Sequence, residues 1–88
     1  MILHLYCTRN KKSGQYGKIS VERLEKDEIK ESYTCSVLEA PKDQLALLSE
    51  LEAYYLGDYD TVSGKVDAVE PEFLLDLGSI GNVGKESD

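Results

Sequence analysis

Among the side chains able to do chemistry, the carboxylates come first. Asp58-x-Asp60 opens like an EF-hand calcium loop, which needs oxygen ligands at alternate positions and a glycine at the sixth. Here the third alternate position is Val62 and the sixth is Ser63, so the ligand set is incomplete. Asp67, Glu70, Glu72 and Asp76 are spaced as a solvated acidic face. General acid–base catalysis requires paired carboxyl groups in environments that separate their pKa values, and no such asymmetry is legible here. Gly14-x-x-Gly17 lacks the third glycine of a dinucleotide fingerprint and falls in a hairpin, not at a strand-to-helix turn. His4 is the single histidine; it falls opposite Leu3 and Leu5 with no Ser or Cys nucleophile pattern beside it, and reads as a surface or second-face residue. Cys7 and Cys35 match no zinc spacing and read as small hydrophobes. The expectation is a protein without catalysis, metal or cofactor.

Binding chemistry is better served. Arg9, Lys11, Lys12 and Lys18 flank Tyr16, with Arg23 further along and Tyr6 on the preceding strand. Cations neutralise phosphates, and a ring gives an unpaired base a face to stack on, worth roughly 1–3 kcal/mol per base. Arg9, Lys11, Lys12, Tyr16, Lys18 and Arg23 are therefore the candidate nucleic-acid contacts, with single-stranded DNA as the ligand they suit. The plain alternative is a lysine-rich hairpin tip that discourages edge pairing.

Those residues have to be held by something. Period-two alternation over 2–7 places Leu3, Leu5 and Cys7 on one strand face and Ile2, His4 and Tyr6 on the other. Asn10 and Ser13-Gly14 supply a turn, and 15–24 reads as the returning strand, with Ile19 and Val21 on one face. Asp27 is the expected N-cap of a helix whose stripe is Ile29, Tyr33, Val37 and Ala40, ended by Pro41. A short helical turn over 42–49 follows, with Leu45 and Leu48 inward. A strand over 51–57 comes next, then a loop over 58–64 and a returning strand over 65–69. Pro71 is expected to open a helical turn over 73–77 that Gly78 ends. The sum is an α+β fold, β-β-α-β-β: a small antiparallel sheet of about four strands with one helix on a face, forming a single domain over 1–78. Residues 79–88 read as a flexible tail. No internal repeat of solenoid length is visible.

Bulk properties bound the function. Eighty-eight residues allow one small core, too small for a large cofactor crevice. The net charge of −7 hides a division. Residues 1–26 hold six bases and two acids (+4), and residues 27–88 hold four bases and fifteen acids (−11). Such bipolarity permits a basic patch with an acidic back, although acidity alone also serves solubility. No apolar run is long enough to span a bilayer, and the first residues carry no secretory pattern, so no membrane or export role is expected.

One segment has a specific character. In LEAYYLGDYDTVSGKV (51–66), Glu52, Tyr54, Leu56, Gly57, Asp58, Tyr59, Asp60 and Gly64, with Glu50 just before, occupy the places of an acidic-aromatic, Leu-Gly-Asp-aromatic-Asp signature followed by a Ser-Gly turn. Lys12-Ser13-Gly14-Gln15-Tyr16 and Ile29 to Tyr33 supply the upstream turn and helix patterns. On these residues the chain resembles the small non-structural proteins of gokushoviruses, single-stranded DNA phages of the microvirus family. It departs from them at 18–22, where Lys-Ile-Ser-Val-Glu replaces a Pro-Phe-Phe-like strand, and at Lys30, where an arginine is usual. The resemblance implies a non-virion accessory protein of the infected bacterial cytoplasm, binding DNA during genome synthesis or the switch to packaging. In that setting the basic hairpin would meet the DNA backbone, and Gly57 would permit a backbone geometry that a side chain would obstruct.

The alternative is an acidic adaptor or inhibitor, mimicking DNA towards a phage or host replication protein and gripping it through Asp58, Asp60 and Asp67. A homodimer crosses both readings, because a small sheet leaves a face and edges to cover. Tyr54 and Leu56, opposite Ala53 and Tyr55, are the interface candidates.

Overall fold

The computed structural model describes residues 1–80. Strands β1 (Ile2–Asn10), β2 (Ser20–Glu22), β3 (Leu51–Asp60) and β4 (Val66–Asp76) form one antiparallel sheet in the order β2-β1-β3-β4. Helices α1 (Lys26–Glu39) and α2 (Lys42–Leu48) lie between β2 and β3, and 77–80 are again helical. The α+β architecture is the one the residue pattern implies, with 42–48 realised as a full second helix.

The core forms on one sheet face. Tyr6, at 0% exposure, and Ala53 from the central strands meet Ile29 and Val37 from α1 and Leu74 and Leu77 from the chain's second half. Tyr33, Leu45 and Leu48 close over them, so Ile29, Tyr33 and Val37 of the expected stripe face the core, whereas Ala40 is the C-cap and is not part of the core cluster. The helix starts two residues earlier than an Asp27 N-cap implies. Glu25 is its N-cap and Glu28 reaches back to the Glu25 N–H (3.2 Å), a capping box built from two glutamates. Within α1, Thr34 and Ser36 donate their hydroxyls to the carbonyls of Lys30 and Ser32, which keeps these weak helix formers compatible with it.

Five local expectations are corrected. The returning strand over 15–24 forms a ladder only at 20–22; before it, a lone Arg9–Tyr16 bridge and the Gly17 N–H to Thr8 O bond (2.7 Å) hold the chain alongside β1. Gly14 and Gly17 weaken this stretch as a strand. The loop expected at 58–64 contracts to 61–65, because Asp58 to Asp60 pair with Ile2 to His4. The strand expected to end at 69 runs on to Asp76. The helical turn expected over 73–77 is absent: Phe73 to Asp76 are strand, and helix begins only at 77. Pro71 sits on an edge strand in a gap of the register, where its missing N–H removes no ladder bond. The tail expected from 79 starts inside that helix, with Ile80 packed on the core, and 81–88 lie outside the described residues.

The two hairpins share a device that residue spacing concealed. In the first turn, the Asn10 side chain accepts from Lys12 N–H, Gly14 N–H bonds Asn10 O, Ser13 Oγ accepts from Gln15 N–H, and Gly14 has φ 75°. In the second, Asp60, Val62, Gly64, Ser63 and Lys65 make the same four features, with φ 73° at Gly64. Each hairpin then leads through a core leucine and an acid into a helix. Leu24-Glu25 precedes α1, and Leu75-Asp76 precedes 77–80, where Asp76 Oδ1 accepts from Gly78 N–H. The chain is thus two ββα halves joined through α2, with β1 and β3 as the central seam.

Candidate binding surface

The three basic residues nearest the hairpin tip are all engaged by carboxylates. Arg9 Nη1 lies 3.0 Å from Glu52 Oε1, Lys11 Nζ 2.7 Å from Asp76 Oδ1, and Lys12 Nζ 2.8 Å from Glu50 Oε1. Lys18 and Arg23 are exposed and make no ion pair among the described residues. Exposed pairs are worth little, roughly 0–1 kcal/mol each. Their effect on the field is what counts: β3 and β4 bring acids to the tip and cancel its positive charge locally.

The acids assigned to a partner are also committed. Asp58 Oδ1 accepts from Tyr55 Oη–H (2.6 Å) and bonds His4 Nδ1 (2.6 Å), and Asp60 Oδ1 caps the second turn through Val62 N–H (2.9 Å). Asp67 alone of the three is exposed. Of the two readings of His4 the second-face one holds and the surface one does not: its side chain, beside Tyr6 and Tyr55, is 14% exposed and also meets Glu25 Oε1 at 3.3 Å, tying β1 and β3 to the start of α1. Burial acts to lower its pKa, but the Asp58 hydrogen bond and the Glu25 charge outweigh this and raise it above the usual 6.5. Asp58 is held below 3.8, by the Tyr55 hydroxyl first and by His4. His4 therefore adds stability that is complete below pH 6.5 and fades as pH rises through its higher folded value. The Asp58 contribution is complete above 3.8 and is lost in more acidic solution. Thermal unfolding should show greatest stability between these limits, and His4→Gln should flatten the fall on the alkaline side.

The sheet face away from the helices has a different character. Leu3, Leu5 and Cys7 alternate onto it from β1, opposite Tyr6. Val21 faces Leu5, Tyr54 and Phe73 face Cys7, and Val66 and Tyr59 face Leu3. Cys7 at its centre is buried, and Tyr16, Gly17 and Ile19, from the segment before β2, lie beside it. Tyr16, Ile19, Val21, Val66 and Phe73 are each half or more exposed. An open hollow of about 260 Å³ is lined by Cys7, Tyr16, Gly17, Ile19, Leu56 and Pro71. Tyr16, Tyr54 and Phe73 form a row, edge to face, with centroids 5.8 and 5.9 Å apart, and Arg9 caps Tyr16 from 5.8 Å. At the tip end the face carries two ion pairs: Arg9–Glu52, which is also bonded by the Tyr54 hydroxyl (2.8 Å), and Lys11–Asp76, whose carboxylate lies across the ladder from Glu52.

Tyr16, Tyr54 and Leu56 fall on this face, whereas Lys11 and Lys12 point to acids at the tip. Ile19, Val21, Pro71 and Phe73 join this face from outside the sequence-predicted site residues. The available signal was that β1 is apolar at both parities, which an antiparallel strand with one wet face is not. Among the described residues no helix is long and apolar enough to cross a membrane. No family model, curated protein or solved structure matches the chain.

Proposed function

We propose that this protein is a non-catalytic protein-binding module, the adaptor reading of its sequence, and that it docks through the apolar sheet face. The observation that carries this is the face itself: four strands of apolar and aromatic side chains whose charged end, Arg9–Glu52 and Lys11–Asp76, is satisfied within the chain. Exposed apolar patches of this breadth on small proteins mark association sites. Its surroundings are acidic, so the rim discriminates against acidic partners. On the gokushovirus resemblance, the setting is the infected bacterial cytoplasm during genome synthesis or the switch to packaging, with a replication protein as an alternative partner.

Single-stranded DNA remains the second reading, favoured by one observation, the Tyr16–Tyr54–Phe73 row, since rings on an open sheet face are a platform for unpaired bases. Against it stand the neutralised cations. Fluorescence anisotropy with labelled single-stranded and duplex oligonucleotides, at about 50 and 200 mM salt, separates the two. The adaptor reading expects no binding at either salt. Binding that favours the single strand, weakens with salt and is lost in Tyr16→Ala and Lys11→Ala/Lys12→Ala would transfer the function to DNA.

A further inference from the structure

The composition of the open face constrains what can lie on it, because the charged groups at its end, Arg9 with Glu52 and Lys11 with Asp76, are paired within the chain. We propose that its occupant is a second copy of this chain, packed face to face about a two-fold axis. The proposal rests on reading the face as a docking surface.

Three features select a like face over other occupants. First, Arg9, Glu52 and Tyr54 complete one another inside a single chain, so a partner supplying phosphates or basic side chains finds no group there to engage. An apolar partner leaves no buried charge unpaired. Residues 81–88, GNVGKESD, offer one large apolar side chain, Val83, and have too little apolar surface to cover the face. Second, the size suffices. The 33 strand residues, at about 3.3 Å each with strands about 4.8 Å apart, present roughly 500 Å² per copy, and two copies reach about 1,000 Å², the lower bound of specific interfaces. Third, the surface is self-complementary in form. It carries a hollow and, on the same face, the protruding ring of Phe73, and a two-fold axis delivers each knob to the other copy's hollow. Twisted sheets stack in this way about 10 Å apart at about 30°.

The edges do not compete for this role. β4 carries Asp67, Glu70, Pro71 and Glu72 along its exposed length, and charges and proline on an edge strand oppose strand-to-strand addition. Two copies of net charge −7 repel through their rims, so salt should tighten the dimer, opposite in sign to a DNA complex.

Sedimentation equilibrium over a low-micromolar to near-millimolar range, at low and moderate salt, tests the proposal. The expected mass is twice the 9.8 kDa of the chain, with dissociation weakened by added salt. Leu56→Glu and Phe73→Glu should each weaken association at least tenfold while far-UV circular dichroism is unchanged. Val21→Lys, on the short edge strand and already half exposed, gives the same readout where a central substitution disturbs folding. A single-chain mass throughout, or a dimer indifferent to all three substitutions, overturns the second copy as occupant. In the monomeric case, dye binding decides the broader reading. Anilinonaphthalene sulfonate fluorescence abolished by Leu56→Glu leaves the face as a dock for a different protein. Absence of dye binding removes the docking surface as well.

Discussion

Gly57→Ala is expected to leave the protein largely unfolded at room temperature. Gly57 has φ 137°, a region closed to side-chain-bearing residues, and lies where the register slips past Leu56, so β3 bends and β4 crosses close behind it. A Cβ there would stand 2.2 Å from the carbonyl oxygen of Asp67 and 2.9 Å from Cα of Ala68. Both are backbone atoms of the paired strand, so no rotamer change relieves the clash. The alternatives are breaking the β3–β4 ladder or moving β3 off β1. Backbone strain of about 1–3 kcal/mol combines with lost pairing, against a total stability of roughly 4–13 kcal/mol for a chain of this size. Urea titration followed by circular dichroism should find the midpoint shifted strongly down or no cooperative transition. Gly64→Ala is the internal comparison. Its φ is also positive, at 73°, but nothing stands within 4 Å, so only the conformational cost of about 1–2 kcal/mol is expected. Equal effects at the two positions would show that strand crowding at Gly57 is not what matters.

Tyr6→Ala is expected to cost about 3–5 kcal/mol, the range for removing a large aromatic ring from a core. Tyr6 is fully buried at the point where β1, β3 and α1 meet, and its ring lies 5.8 Å from that of Tyr55. Its hydroxyl donates to the carbonyl of Leu24 at 2.7 Å, anchoring the chain as it leaves β2 for the helix. Burial pushes that hydroxyl's pKa up to about 12, so it remains a donor through any ordinary working range. Tyr6→Phe separates the two roles. It keeps the ring and leaves the Leu24 carbonyl without its partner, for a loss of about 1–3 kcal/mol. Denaturant midpoints for the two variants should fall in that order, and a Phe variant as damaged as the Ala variant would mean the hydrogen bond, not the ring, organises the core.

Apart from 73–76, strand where a helical turn was expected, the element types were legible because the patterns were local. The Ile29–Tyr33–Val37 stripe, the Asn10 turn and the alternation in β1 each fit within a dozen residues. What went unread depends on residues far apart. Arg9, Lys11 and Lys12 look like a free basic patch until Glu52, Asp76 and Glu50 arrive from strands about 40 to 65 positions later. The length of β4 was hidden by Pro71, a breaker wherever its N–H is needed and harmless on an edge. Tyr54 and Leu56 were placed on the outer face by alternation alone. The bulge beside Leu56, however, and the reach of the face to Ile19 and Phe73 follow from register, which no single strand encodes. Asn10-x-x-Ser-Gly and Asp60-x-x-Ser-Gly are fifty positions apart, and only their shared hydrogen bonds show that they are one motif used twice.

The seam between β1 and β3 has a consequence for how the chain reaches this state. Each hairpin can close within microseconds, because its turn joins neighbours in sequence. The pairing of Ile2 with Asp60 and of Asn10 with Leu51 instead requires segments some 40 to 60 residues apart to find each other, and this loop closure comes before any central ladder bond forms. Until then β1 and β3 are both edges, apolar on two faces. The rate of folding is therefore set at the middle of the sheet, and newly made chains are most prone to pair wrongly with one another during that interval.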